Sequence, residues 1–122
     1  MAVGPVGQIH ISVTDIDRSV AFYRDVLGVE LLFAVPAQRM AFFSSGQVRL
    51  YLGVPETPEF RSRAVIYFWV EDIDREHERL TALGVPCHDE PHVVHDDGSV
   101  KLWMTGFTDP DGHQLLLMQE RR

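Results

Sequence analysis

The sequence predicts an α+β domain spanning residues 1 to 122, made of two βαβββ modules in tandem over residues 7–54 and 64–119, with a connector over 55–63. Three observations lead there. The first is an internal repeat: Val13, Asp15, Ile16, Asp17 and Arg18 return fifty-seven positions later as Val70, Asp72, Ile73, Asp74 and Arg75, and Leu27-Gly28-Val29 returns after fifty-six as Leu83-Gly84-Val85. Recurrence at such a period marks duplication of one supersecondary unit. The second is periodicity, since each copy passes from an alternating apolar stretch into one with helical spacing. The third is size and composition: 122 residues, 45% hydrophobic and 24% charged, suit one globular domain burying about two thirds of its unfolded surface.

In order, a loose lead precedes a strand over 7–13 that puts Ile9, Ile11 and Val13 on one face and Gln8, His10 and Ser12 on the other. Thr14 is placed to cap the following helix, with Asp17 three residues on. Ile16, Val20, Tyr23 and Leu27 form its apolar stripe, directed at the Ile9/Ile11/Val13 face, and Gly28 supplies a left-handed stop. Strands are expected at about 30–35, 39–44 and 48–54. In the last, Val48, Leu50 and Leu52 belong to the helix-covered face, which sends Arg49 and Tyr51 to the open face with His10. The prolines and charges of PETPEFRSR define the connector.

The second module repeats the plan. A strand over 64–70 turns Ile66, Phe68 and Val70 inward and Val65, Tyr67 and Trp69 outward, and a helix over 72–83 is apolar at Ile73, Leu80, Ala82 and Leu83 and charged elsewhere. An extended arm over 86–95 leads through the turn-forming Asp96-Asp97-Gly98-Ser99 to a strand from Val100 to about Phe107. After the tight FTDPDG turn comes the last strand, Gln114 to Gln119.

The formal net charge of −7, with only eleven Lys and Arg scattered along the chain, argues against a nucleic-acid or anionic-membrane surface. It favours neutral or cationic ligands. One cysteine, Cys87, allows no internal disulfide and suits a reducing compartment as a small, partly buried side chain. With no signal-like N-terminus and no apolar run near the ~20 residues that cross a bilayer, the expected location is the cytoplasm.

The V-x-D-I-D-R-S-x-x-F-Y-x-x-x-L-G run at 13–28 and DPDGHQLLLM at 109–118, on paired βαβββ units, resemble the vicinal oxygen chelate superfamily: glyoxalase I, extradiol dioxygenases, fosfomycin-resistance enzymes and bleomycin-binding proteins. The resemblance spans nearly the whole chain. It implies open, curved mixed sheets with a helix on the convex face of each, a site inside the cup, and a homodimer. In metal-dependent relatives His and Glu side chains hold a divalent cation there. The corresponding positions carry Gln8, its repeat partner Val65, Tyr51 (Leu50 if the register slips) and Leu116. One amide, one phenol and two alkyl groups make a poor set for such a cation, so no metal ligand and no cofactor is assigned, a divalent metal in an unusual site remaining the alternative.

The six histidines are weighed singly. His10 on the open face is a ligand contact, a proton carrier or a hydrogen-bonded cup residue. His92 and His95, three apart on an extended arm, fall on opposite faces of a regular strand, one of them able to rim the cup. His77, on the solvated helix, and His88 and His113, in a loop and a turn, are expected at the surface. The expected pocket lining is Gln8, His10, Ser12, Arg49, Tyr51, Val65, Tyr67, Trp69, Leu116 and Met118, with Trp103 a further member if its parity allows, and Gly106 widening the cup. The leading reading is a metal-free protein that binds an aromatic or amphipathic small molecule. One alternative is an enzyme, a lyase, isomerase or dioxygenase using His10 with Tyr51 or Arg49; another is a dimeric scaffold whose cup is filled.

Overall fold

The computed structural model describes residues 2 to 122, and its chain divides into two compact units, one ending at Arg63 and the other beginning at Ala64. In the first, β1 (Gln8–Ser12), α1 (Ile16–Ala21), β2 (Glu30–Val35), β3 (Met40–Ser45) and β4 (Val48–Gly53) form a four-stranded sheet of order β1-β4-β3-β2. β1 runs parallel to β4 and the other pairs are antiparallel, so the sheet is mixed. The second unit has the same plan: β5 (Val65–Trp69), α2 (Ile73–Ala82), β6 (His92–Asp96), β7 (Lys101–Thr108) and β8 (Gln114–Arg121), in the order β5-β8-β7-β6. This is the α+β fold of two βαβββ modules that the repeat predicts.

Each helix starts on a repeated aspartate. Asp15 caps α1 by accepting from Arg18 N at 3.1 Å, and Asp72 caps α2 by accepting from Arg75 N at 3.2 Å. The cap of α1 is therefore Asp15 rather than Thr14, whose hydroxyl instead accepts from the Arg18 guanidinium. After Ala21 the first helix widens into a π-helical turn over Phe22–Val26, in which Leu27 N reaches Phe22 O. Gly28 then takes φ 77°, as its stop position requires. The buried stripe is Ile16, Ser19, Phe22 and Tyr23, with Val20 and Leu27 only half-buried, so the core takes Ser19 in place of Val20 and ends before Leu27.

The helix-covered face of the first sheet supplies Ile11, Ala41, Phe43, Leu50 and Leu52, all essentially inaccessible to water. Each large member contributes about 1.5–3 kcal/mol by burial. In the second unit Ile73 and Leu80 of α2 are buried, as are Phe107, Leu115 and Leu117 of the sheet, whereas Ala82 and Leu83 are exposed: the helix's last turn runs past the sheet.

Residues 55–63 are bonded into the first unit as well as connecting onward. After a 3-10 turn at Pro58–Phe60, Ser62 lies along the free edge of β1. Ser62 N donates to Ser12 Oγ at 2.7 Å, Ser12 N donates to Ser62 Oγ at 3.1 Å, and the Ser62 hydroxyl donates to His10 O at 3.1 Å. An otherwise unpaired strand edge is thereby satisfied. No helix among the described residues is long and apolar enough to cross a membrane.

Candidate functional site

Strand register decides which side chains share the open face of the first unit. Gln8 pairs with Arg49, His10 with Tyr51, Tyr51 with Phe42, and Phe42 with Phe33, so one row of the sheet carries an aromatic ring on every strand. The rings touch in sequence. His10 and Tyr51 have centroids 4.8 Å apart at 55°, Tyr51 and Phe42 stack at 4.8 Å and 15°, and Phe42 and Phe33 stack at 4.6 Å and 29°. A bulge at Leu32 sets Phe33 in line with Phe42. Gly53 makes room for Tyr51, because a Cβ there would stand 2.8 Å from the Tyr51 ring.

Arg49 braces this row from one end. Its Nε donates to Gln8 Oε1 at 2.8 Å, and its guanidinium carbon lies 5.0 Å above the Phe42 ring. At the other end the strands meet the returning segment, which brings Pro55, Glu56 and Phe60 over the sheet. A concavity of about 390 Å³ results, lined by Gln8, His10, Gln38, Met40, Tyr51, Val54 and those three residues. Ser12 does not reach it: the side chain is buried beneath the returning segment, its hydroxyl held by Ser62 and Phe60. Its expected place in the lining is corrected accordingly.

In the second unit Val65, Tyr67 and Trp69 lie on the open face and are well exposed, Trp69 at 63%. Tyr67 pairs with Leu116 and Trp69 with Met118, which puts both β8 residues on that face. Trp103 is not with them. It pairs with Gln119, in the row of Thr105 and Phe107, and its ring lies 4.7 Å under the Arg121 guanidinium, itself paired with Asp74 of α2. The helix side claims Trp103, and the ambiguity in its parity resolves against the cup. At Gly106 a Cβ would meet His88 Cδ2 at 3.4 Å, so the His88 ring and not open space stands beside that glycine.

Three of the histidines, His92, His95 and His113, depart from expectation. A bulge at Val94 pairs His92 with Met104 and His95 with Leu102, so both face the same way despite their spacing of three. His113 is buried at 3%, its Nδ1 accepting from Ala64 N at 2.8 Å. His88 is exposed but bonded, its Nε2 2.7 Å from the Thr108 hydroxyl. Next to it, burial pushes the Asp89 carboxyl's pKa up, but hydrogen bonds from Gly106 N and Thr105 Oγ1, with the charge of His92 and His88, outweigh this and hold it below the usual value.

Residues 6–117 match the family model described as Glyoxalase/Bleomycin resistance protein/Dioxygenase superfamily. The chain belongs to that superfamily. It is 30% identical to the uncharacterized protein YraH of Bacillus subtilis (strain 168), over 89% of this chain and 92% of that one. It is 31% identical to the metallothiol transferase FosB of Lysinibacillus sphaericus, over 93% and 81%. In fold it is similar to TnmS3, an antibiotic binding protein from Streptomyces sp. CB03234, with a TM-score of 0.75, 23% identity and coverage of 99% of both chains.

Metal-dependent members of this superfamily need donors that this chain lacks at the corresponding positions. Val65 and Leu116 have no donor atom, and the Gln8 carbonyl oxygen already accepts from Arg49. Tyr51, rather than Leu50, is the fourth-strand residue on the open face, since Leu50 is buried in the core. Among the described residues no three His, Cys, Asp or Glu side chains are grouped to hold a cation. The residues present do not fit the group.

Proposed function

We propose that the protein binds an aromatic small molecule against the open face of its first unit, with no metal at the superfamily's usual place, sequestering or recognising the compound as an antibiotic-binding protein does. The observation that carries this reading is the row of four rings from Phe33 to His10, which ends in a concavity lined by polar and apolar side chains together. Gln8 and Gln38 at the rim supply the orienting hydrogen bonds such pockets use.

A second reading is favoured by the contact of His10 with Tyr51: the same cavity turns its ligand over by proton transfer at the imidazole and phenol. Screening aromatic antibiotics by native mass spectrometry against untagged protein separates the two. The binding reading expects a one-to-one complex recovered with unchanged ligand mass, and Tyr51→Ala to weaken it roughly tenfold by losing the central ring. Ligand recovered chemically altered supports the enzyme, and stoichiometric Fe, Mn, Ni or Zn in the purified protein contradicts the metal-free reading.

A further inference from the structure

The concavity of the first unit has one formally charged side chain besides the titratable His10, and it is an acid, Glu56; no lysine or arginine lines it. Arg49, on the same face of the sheet, is engaged elsewhere, bonded through Nε to Gln8 and laid over Phe42. Glu56 has no ion-pair partner among the described residues. Phe60 lines the same cavity, and the face of its ring carries negative quadrupole charge; Tyr51 lines it too, with its ring engaged by Phe42 on one side and His10 on the other. A carboxylate without a counter-charge and an aromatic face attract a cation together, and both repel an anion that finds no donor cation in the cavity. The net charge of −7 adds a long-range pull of the same sign.

From this we infer that the cavity selects a ligand carrying a positive charge, an aromatic amine in preference to a neutral or acidic compound of the same shape, with Glu56 as the residue that sets the preference. The inference rests on the concavity being the binding site proposed above. Glu56 reaches its place because Pro55 and the Ser62–Ser12 bonds fix the segment on both sides of it. The specificity determinant therefore lies in the connector and not in a strand.

Three dansyl sulfonamides with one fluorophore and matched tails test it: dansylcadaverine, ending in an ammonium, its N-pentyl analogue, and the analogue ending in a carboxylate. Fluorescence titration at low salt is expected to show the ammonium probe binding roughly three- to tenfold tighter than the neutral one, and the acid weakest. Glu56→Gln is expected to bring the ratio of ammonium to neutral affinity close to one, the neutral probe reporting in the same titration that the cup is intact. Equal affinities for the three probes, or a ratio untouched by Glu56→Gln, overturn the charge preference while leaving the binding site standing. If none of the three binds, the binding-site reading falls and the preference falls with it.

Discussion

Gly53→Ala separates the ring row's contribution to binding from its contribution to folding. A methyl carbon at residue 53 would lie 2.8 Å from Tyr51 Cε1 and 2.9 Å from Cζ and the hydroxyl oxygen. Ordinary carbon contacts are at about 3.5–4.0 Å, so the ring must move by on the order of 1 Å. It cannot do so and keep both its 15° stack on Phe42 and its contact with His10, each worth about 0.5–1.5 kcal/mol. The backbone does not resist the change: Gly53 has no positive φ, and an alanine there recovers about 0.4–1 kcal/mol by restricting the unfolded chain. The melting temperature should therefore stay within a few degrees of the parent, while dansylcadaverine affinity falls about tenfold. The assay is a double-mutant cycle by fluorescence titration, with Tyr51→Ala as the second variant. If Gly53→Ala acts through the ring, it adds little to Tyr51→Ala. Full affinity in Gly53→Ala, or losses that add in the double variant, would refute the reasoning.

Other outcomes follow from bonds elsewhere in the two units. Ser62→Ala removes the hydroxyl that bonds Ser12 N and His10 O and should cost about 1–2 kcal/mol in urea unfolding, with weaker probe binding because the segment carrying Glu56 and Phe60 loosens; an unchanged midpoint would contradict it. His113→Ala should cost about 1–3 kcal/mol, since it strips Ala64 N of its acceptor and opens a buried space, whereas a surface histidine would cost almost nothing. Because the folded Asp89 carboxyl is held below its ordinary value, the stability it contributes is present above about pH 4 and is lost as pH falls through the folded value. Asp89→Asn should accordingly show a shallower loss of melting temperature on acidification than the parent, and parallel curves would exclude a linked role.

The fold was legible because the duplication writes each signal twice. Gly28 and Gly84 both take positive φ, and alternation in β1, β4 and β5 separates covered from open positions; the first cap was less legible, since adjacent Thr14 and Asp15 both offer an acceptor and Asp15, like Asp72, makes the bond. The site was legible only in part. His10, Tyr51, Gln8 and Arg49 were assigned to one face from parity, and the register brings them together. Phe42 and Phe33 escaped notice although the same parity argument, carried from Tyr51 across β3, points to Phe42; Phe33 depends on a bulge that no alternation reveals. The bulge at Val94 likewise reverses the reading of His92 and His95. Glu56 and Phe60 were passed over because proline and charge mark a connector, and local composition does not show that Ser62 will bond the strand edge. The face of Trp103 was left open because the strand's first residue sets the phase of all that follow, and β7 begins at Lys101 beyond a turn of flexible length.

The central claim is that the first unit binds its ligand by stacking, without a metal at the superfamily's usual place. Titration of dansylcadaverine into the untagged protein before and after exhaustive treatment with a chelator tests this most directly. The account predicts the same affinity in both titrations and no change on adding back Mn, Ni or Zn; binding that disappears with the chelator and returns with one of those ions would contradict it.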